Sequence, residues 1–493
     1  MLKSFFCEKI QQLSISEAEK IFRTITQQLV FNAYEISKEI DVFVAFETMN
    51  NRGKPLTNLE LLKNRLIYLS AHLPNNSDNI KVRRDINEAW KSVYHYLGKN
   101  DKRLLKDDDF LGSHLFIYYN KEINKKPVKD EDDSYLHMRK LERIVDRAGD
   151  FLLGKVFVRR RRNNTGEELP EITCKEIHKY SLDLKRTVEI YYKLSTPQDG
   201  NFKPEECLLL ERICRLLGYS PRHSTLAVYI KEHDAKKRIN YLKSYEKLAF
   251  LATLRFGRIS SVEKNMITEH AKYIKDEITI EQLTTSYNNI SSSWLKEDTS
   301  LEIISDWVKG SQGYYGWKAI NYFLYEYESH LQKKSKSSRI KIDWDVFSSE
   351  IFDDNYTSIE HIYPQRAREK YWTDRFAKFK PHEKKLLRNS LGNLLALSQP
   401  KNSSLSNKPF PDKVGDDTNK VGYRYGSYSE IEVSSCREWD EYEILKRGIL
   451  MLNFLEEYWS IPLGTFEQKV KALGLSFLLK TMTAEQIEKI TRK

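Results

Sequence analysis

Two runs, SIEHIYPQ at 358–365 and LGNLLALSQPKNSSLSNKPF at 391–410, decide how this chain is read. Each carries a short strand-like stretch, TSIEHIY in the first and NLLALS in the second, and a polar segment beginning at Pro400 follows. The pattern predicts a strand ending in an acidic–His pair, a loop, a second strand starting at Asn393, and a short helix presenting Asn402. The segment between the strands is charged and aromatic. From Thr357 to Tyr425 there are 14 Lys and Arg against 7 Asp and Glu, so most of the chain's net charge of +11 sits in 69 residues.

Taken singly, these pieces say little. A Glu-His dipeptide is usually a surface pair, and Asn402 and Asn407 are ordinary turn or cap residues in many loops. Together they are the layout of a ββα-metal nuclease. A phosphodiester is an anion, so hydroxide attack on it needs a cation to neutralise charge on the transition state and leaving oxygen. The Glu360 carboxylate and the Asn402 amide oxygen are hard donors suited to Mg²⁺ or Mn²⁺. His361 points to the other side of an extended strand. Its ordinary pKa near 6.5 suits a general base at neutral pH. A strand end open to solvent is expected for it, and Asn393 is placed to orient the imidazole. Arg366, Arg368 and Lys370, beside Tyr371 and Trp372, suit phosphate contact and stacking on DNA, with Asn407 as a further candidate contact.

Length and composition frame this reading. The chain has 493 residues, about three domains' worth, with 40% hydrophobic and 31% charged residues, which excludes wholesale disorder. The basic surplus, with a pI near 9.0, favours a polyanionic partner. Its apolar runs fall short of a membrane span, and MLKSFFCEKI lacks a signal peptide's features, so a cytoplasmic protein with no membrane partner is expected. Five scattered cysteines without a CxxC support neither a disulfide framework nor a zinc knuckle.

The expected fold is mainly α with a small α+β part. Capping boxes are read at Ser16-x-x-Glu19 and Thr57-x-x-Glu60, LVFNAYEI reads as a short strand, and residues 81–330 read as helices. The polar break QKKSKSSRIK at 332–341 is the best boundary, and a second basic run, RRRRNN at 159–164, is an exposed loop or a DNA contact. The expected domains are 1–120, 121–340 and 341–493.

IEHIYPQ, LGNLLALS and KNSSLSNKPF, with EWDEYEILKRGILMLNF in the tail, resemble the C-terminal HNH (His-Me finger) nuclease domain of GmrSD-type modification-dependent restriction enzymes. FETMNNRGKPLTNLELLKN at 46–64, continued by W-x-x-V-Y at 90–94 and DDFLGSHL at 108–115, resembles part of that family's GmrS-like domain, of ParB/sulfiredoxin-related fold. The resemblance implies a metal-dependent endonuclease cutting foreign, modified DNA, with Glu360, His361, Asn393 and Asn402 in the roles above. It implies nucleotide or DNA sensing around Phe46, Asn50, Gly53, Leu56, Glu60 and Lys63, with a nucleotide as a further partner. These residues also have an ordinary structural reading, with Gly53 in a turn and Glu60 in a cap. The Asp-Gly-Gln-Gln-Arg motif usual upstream in that domain is absent, since the Gln pairs at 11–12 and 27–28 lack it. The expectation is therefore a chain beginning partway through that domain, with a second polypeptide as one source of the missing motif. Two other classes fit the same residues: a non-cleaving DNA-binding or regulatory subunit, and an HNH RNase toxin.

Overall fold

The computed structural model describes residues 7, 9–30, 56–72, 76–99, 104–124, 134–158, 161–162, 168–169, 171–218, 222–256, 260–296, 313–344, 358–418 and 420–491. Phe46, Asn50, Gly53 and all but the first two residues of the strand expected at LVFNAYEI lie outside these residues. Within them the protein is mainly helical. Its strands are short: Arg161–Arg162 pairs antiparallel with Glu168–Leu169, and Ser358–His361 with Leu394–Leu397. No helix among the described residues is long and apolar enough to cross a membrane.

Local signals account for the helix starts. Thr57 and Glu60 close the expected capping box ahead of Asn58–His72, with Thr57 N donating to Glu60 Oε2 at 2.8 Å and Glu60 N to Thr57 Oγ1 at 3.3 Å. At the N-terminus the box is Ser14 with Glu17, two residues before the pair expected from sequence, so Ile15–Arg23 begins earlier. Both candidate serines have a Glu three residues on, and only the geometry separates them.

Two apolar cores form. In the first, Leu59, Leu62 and Leu66 recur at helical spacing and are fully buried with Trp90, whose indole donates to Leu59 O at 2.9 Å. Helices Asn76–Leu97 and Cys174–Ser195 pack against each other, and Ala235–Phe256 packs against both Pro204–Leu217 and Ile280–Lys296. The second core gathers Tyr314 to Tyr327, the strand Leu394–Leu397, and the helix Glu441–Trp459. Residues on both sides of the boundary expected at 341 thus share one core.

Helix Ala235–Phe256 serves both cores. Tyr241, Leu242, Tyr245, Leu248 and Ala252 enter the first; Ala249, Phe250, Leu251 and Leu254 enter the second. Phe250 stacks on Trp459 with ring centroids 3.7 Å apart and planes at 9°. Such a pair contributes about 0.5–1.5 kcal/mol beyond its buried area. Two buried carboxylates join the cores: Glu246 accepts from Tyr322 and Trp459, and Glu326 from Arg215 and Tyr458.

Candidate active site

The first strand of the pair, through Ile359, Glu360 and His361, lines a cleft of about 890 Å³. Glu360 stands opposite Leu395 and His361 opposite Leu394 in the antiparallel register. The second strand is buried on both faces, which its unbroken apolar run allows. The turn entering it requires Gly392, because a Cβ there would lie 2.0 Å from Ile444 O and 2.6 Å from Gly448 N. The helix Gln399–Leu405 follows, with Pro400 in its first turn where no backbone N–H is needed. It ends at Ser406, whose φ of 42° is left-handed and strained for a residue with a side chain. That turn brings Asn402 and Asn407 to the same cleft.

Glu360 and His361 have different surroundings. Glu360 is 3% exposed. Its Oε1 accepts from Lys413 Nζ at 2.6 Å and from Tyr423 OH at 2.8 Å. Lys413 is 0% exposed, and its ammonium also donates to His361 O at 3.3 Å and Ile362 O at 3.2 Å. Burial pushes the Glu360 carboxyl up, opposed by Lys413 and Tyr423; burial pushes Lys413 down, opposed by Glu360.

His361 is 7% exposed, which corrects the solvent-open strand end expected for it. The Tyr315 ring lies over it at 4.6 Å, and Nε2 is 3.2 Å from both Asn389 Oδ1 and Gln365 Nε2. Burial lowers its pKa to about 4, so the imidazole is neutral at pH 7.

Asn393 takes a different place from the one expected. Its Oδ1 accepts from Tyr363 N at 2.8 Å and Trp439 Nε1 at 3.0 Å, and its Nδ2 donates to Tyr363 O and Arg388 O. These bonds lock the loop after the first strand onto the second. The side chain that meets the imidazole is Asn389, at the end of helix Pro381–Asn389. It lies four residues before Asn393, in RNSLGN, and the sequence reading did not single it out.

Of the basic candidates, Arg366 lines the cleft, whereas Arg368 and Lys370 are exposed outside its lining. Asn407 lines it as well, and its carbonyl accepts from the Trp372 indole at 3.2 Å. Tyr315, Lys318 and Asn321 complete the cleft from upstream of the strand pair, and no sequence motif marked them. Glu60 and Lys63, from the N-terminal signature, lie outside this lining. Among the described residues no three His, Cys, Asp or Glu gather as a metal cage.

A buried acidic–His strand end under a polar, basic cleft defines a small α/β unit set on a helical scaffold. Residues 298–454 match the family described as GmrSD restriction endonucleases, C-terminal domain. The match takes in the whole cleft and crosses position 341. No curated protein matches the chain.

Proposed function

We propose that this chain is a metal-dependent DNA endonuclease of the HNH, ββα-metal type, acting in the cytoplasm on foreign, modified DNA as part of a restriction system. The observation carrying this reading is that Glu360, a neutral His361 and Asn402 border one cleft within the matched family domain.

The donor chemistry fits Mg²⁺ or Mn²⁺. One carboxylate and one amide oxygen, Glu360 and Asn402, are hard ligands that leave most positions to water and phosphate. They do not fit a closed zinc cage, which needs His and Cys. A bound divalent ion supplies charge neutralisation for the attacked phosphate and the leaving oxygen. The remaining work falls to the protein. Donation from His361 Nε2–H to Asn389 Oδ1 leaves the lone pair on Nδ1, the atom that takes a proton from the attacking water. Tyr315 and Asn389 hold the ring, and Asn393 holds the loop that follows it. Lys413 and Tyr423 fix one oxygen of Glu360, leaving the other for the cleft.

The test is incubation with plasmid, modified phage DNA and total RNA, with and without Mg²⁺ or Mn²⁺. Metal-dependent strand cuts in DNA are expected, lost in His361→Ala. Cutting of RNA alone, or cutting that persists in His361→Ala above a tenth of wild type, refutes the assignment.

A further inference from the structure

The upstream wall of the cleft carries polar groups that the protein leaves uncommitted. Lys318 is exposed and makes no ion pair or hydrogen bond with any described residue, and the same holds for Arg366, which also lines the cleft. Asn321, in the first turn of Ile320–Lys334, has its Oδ1 buried without a hydrogen-bond partner. A buried amide oxygen left unpaired is a cost that folding normally avoids. Asn321 itself belongs to the lining of the cleft.

The wall is fixed to the catalytic edge. Gly313 has φ +64°, and a Cβ there would meet Asn389 Cβ and O at 2.8 Å, so the backbone lies directly against the residue that bonds His361. Two residues on, Tyr315 covers the imidazole. Lys318 and Asn321 are therefore held at a set distance from His361.

We propose that Lys318 and Asn321 grip one nucleic-acid strand against the Glu360–His361 edge, Lys318 through a phosphate and Asn321 through the polar edge of a nucleotide. This rests on reading the cleft as a nuclease site. It adds a second wall, so that the strand passes between Lys318 and Arg366 and meets a cation on each side. An amide both donates and accepts, matching a base edge or sugar, which present both kinds of group. A lysine ammonium is a point charge that pairs with phosphate and releases a counterion.

These roles separate experimentally through salt. Binding of a fluorescein-labelled 20-nucleotide DNA, single-stranded and duplex, is measured by anisotropy in EDTA across a salt series. Lys318→Ala is expected to weaken binding about fivefold and to flatten the log–log salt slope by about 0.7–0.9. Asn321→Ala is expected to weaken it about tenfold with the slope unchanged, because no charge is lost. Its Tm should match or exceed wild type, since the deleted oxygen bonds nothing in the free protein. Asn321→Asp, of equal size, should bind more weakly than Asn321→Ala because it brings a negative charge to the strand.

Wild-type affinity in either alanine variant overturns the proposal, as does a wild-type protein that binds neither probe. Equal slope changes in both alanine variants overturn the division of roles. A wild type that binds, with both variants weakened, yet cuts nothing in Mg²⁺ or Mn²⁺ upholds the two-walled grip and refutes the nuclease reading. A wild type that cuts, with variants that bind as it does, refutes the grip alone.

Discussion

Replacing Lys413 with Met should destabilise the protein severely, and the structure sets the scale. The ammonium is fully buried and bonds three acceptors: Glu360 Oε1 at 2.6 Å, and the carbonyls of His361 and Ile362 at 3.3 and 3.2 Å. Met fills a similar volume but leaves the Glu360 carboxylate buried with the Tyr423 hydroxyl as its donor. Removing one partner of a buried pair typically costs about 3–5 kcal/mol, because the other charge stays behind uncompensated. Against a total stability of about 5–15 kcal/mol, that is a large fraction. The loss should be rescued by chemistry at the partner. Glu360→Gln added to Lys413→Met removes the stranded charge, so the double variant should recover about 2 kcal/mol or more relative to the single one. Acid should rescue it too. Burial raises the folded Glu360 pKa, so lowering pH protonates the stranded carboxyl in the folded state and relieves the penalty. The assay is urea unfolding followed by fluorescence of Trp372 and Trp439, both buried in this core. A Lys413→Met protein within about 1 kcal/mol of wild type, or a double variant no better than the single, would refute this account of the pair.

Three further outcomes are expected. His361→Ala should lower cleavage by at least about 10²-fold, and proton NMR of wild type should show His361 titrating near pH 4; an apparent pKa above 6 contradicts its burial. His223, buried in the helical body, has its pKa lowered to about 3, so the unfolded chain takes a proton first as pH falls below 6.5. Stability should therefore drop by roughly 3–5 kcal/mol between pH 7 and pH 3 from this group, and His223→Gln should flatten that limb in pH-dependent unfolding. Arg366→Ala should flatten the salt dependence of DNA binding, whereas Arg368→Ala and Lys370→Ala, outside the cleft lining, should change it less; equal effects from all three would place the binding face elsewhere.

What could be read from sequence was whatever depends on neighbours along the chain. The Glu360–His361 strand end, the second strand opening beside Asn393, and a short helix bearing Asn402 follow from short strand-like runs, Pro400 and turn residues, and each lies where that pattern put it. Thr57 with Glu60 was legible for the same reason. The groups that complete the cleft were not. Asn389 reaches His361 across 28 residues, Lys413 reaches Glu360 across 53, and Tyr315 comes from before the polar break at 332–341. Nothing local marks Lys413 as buried among the 14 cations of its region. Asn393 shows the converse. Its position was right and its partners were not, because an amide in a buried turn is claimed first by unpaired backbone groups.

The helix Ala235–Phe256 has a consequence for dissecting the molecule. Because Phe250 lies flat on Trp459 and Glu246 takes hydrogen bonds from Tyr322 and Trp459, the unit that carries the cleft is not portable. A fragment starting at 341 would expose Trp459 to water and lack Tyr314, Trp317 and Phe323 from its interior. One starting at 298, where the family match begins, would regain those residues but still miss Phe250. A self-standing piece has to begin before residue 235, so the smallest unit that can be moved between hosts carries part of the helical body with it.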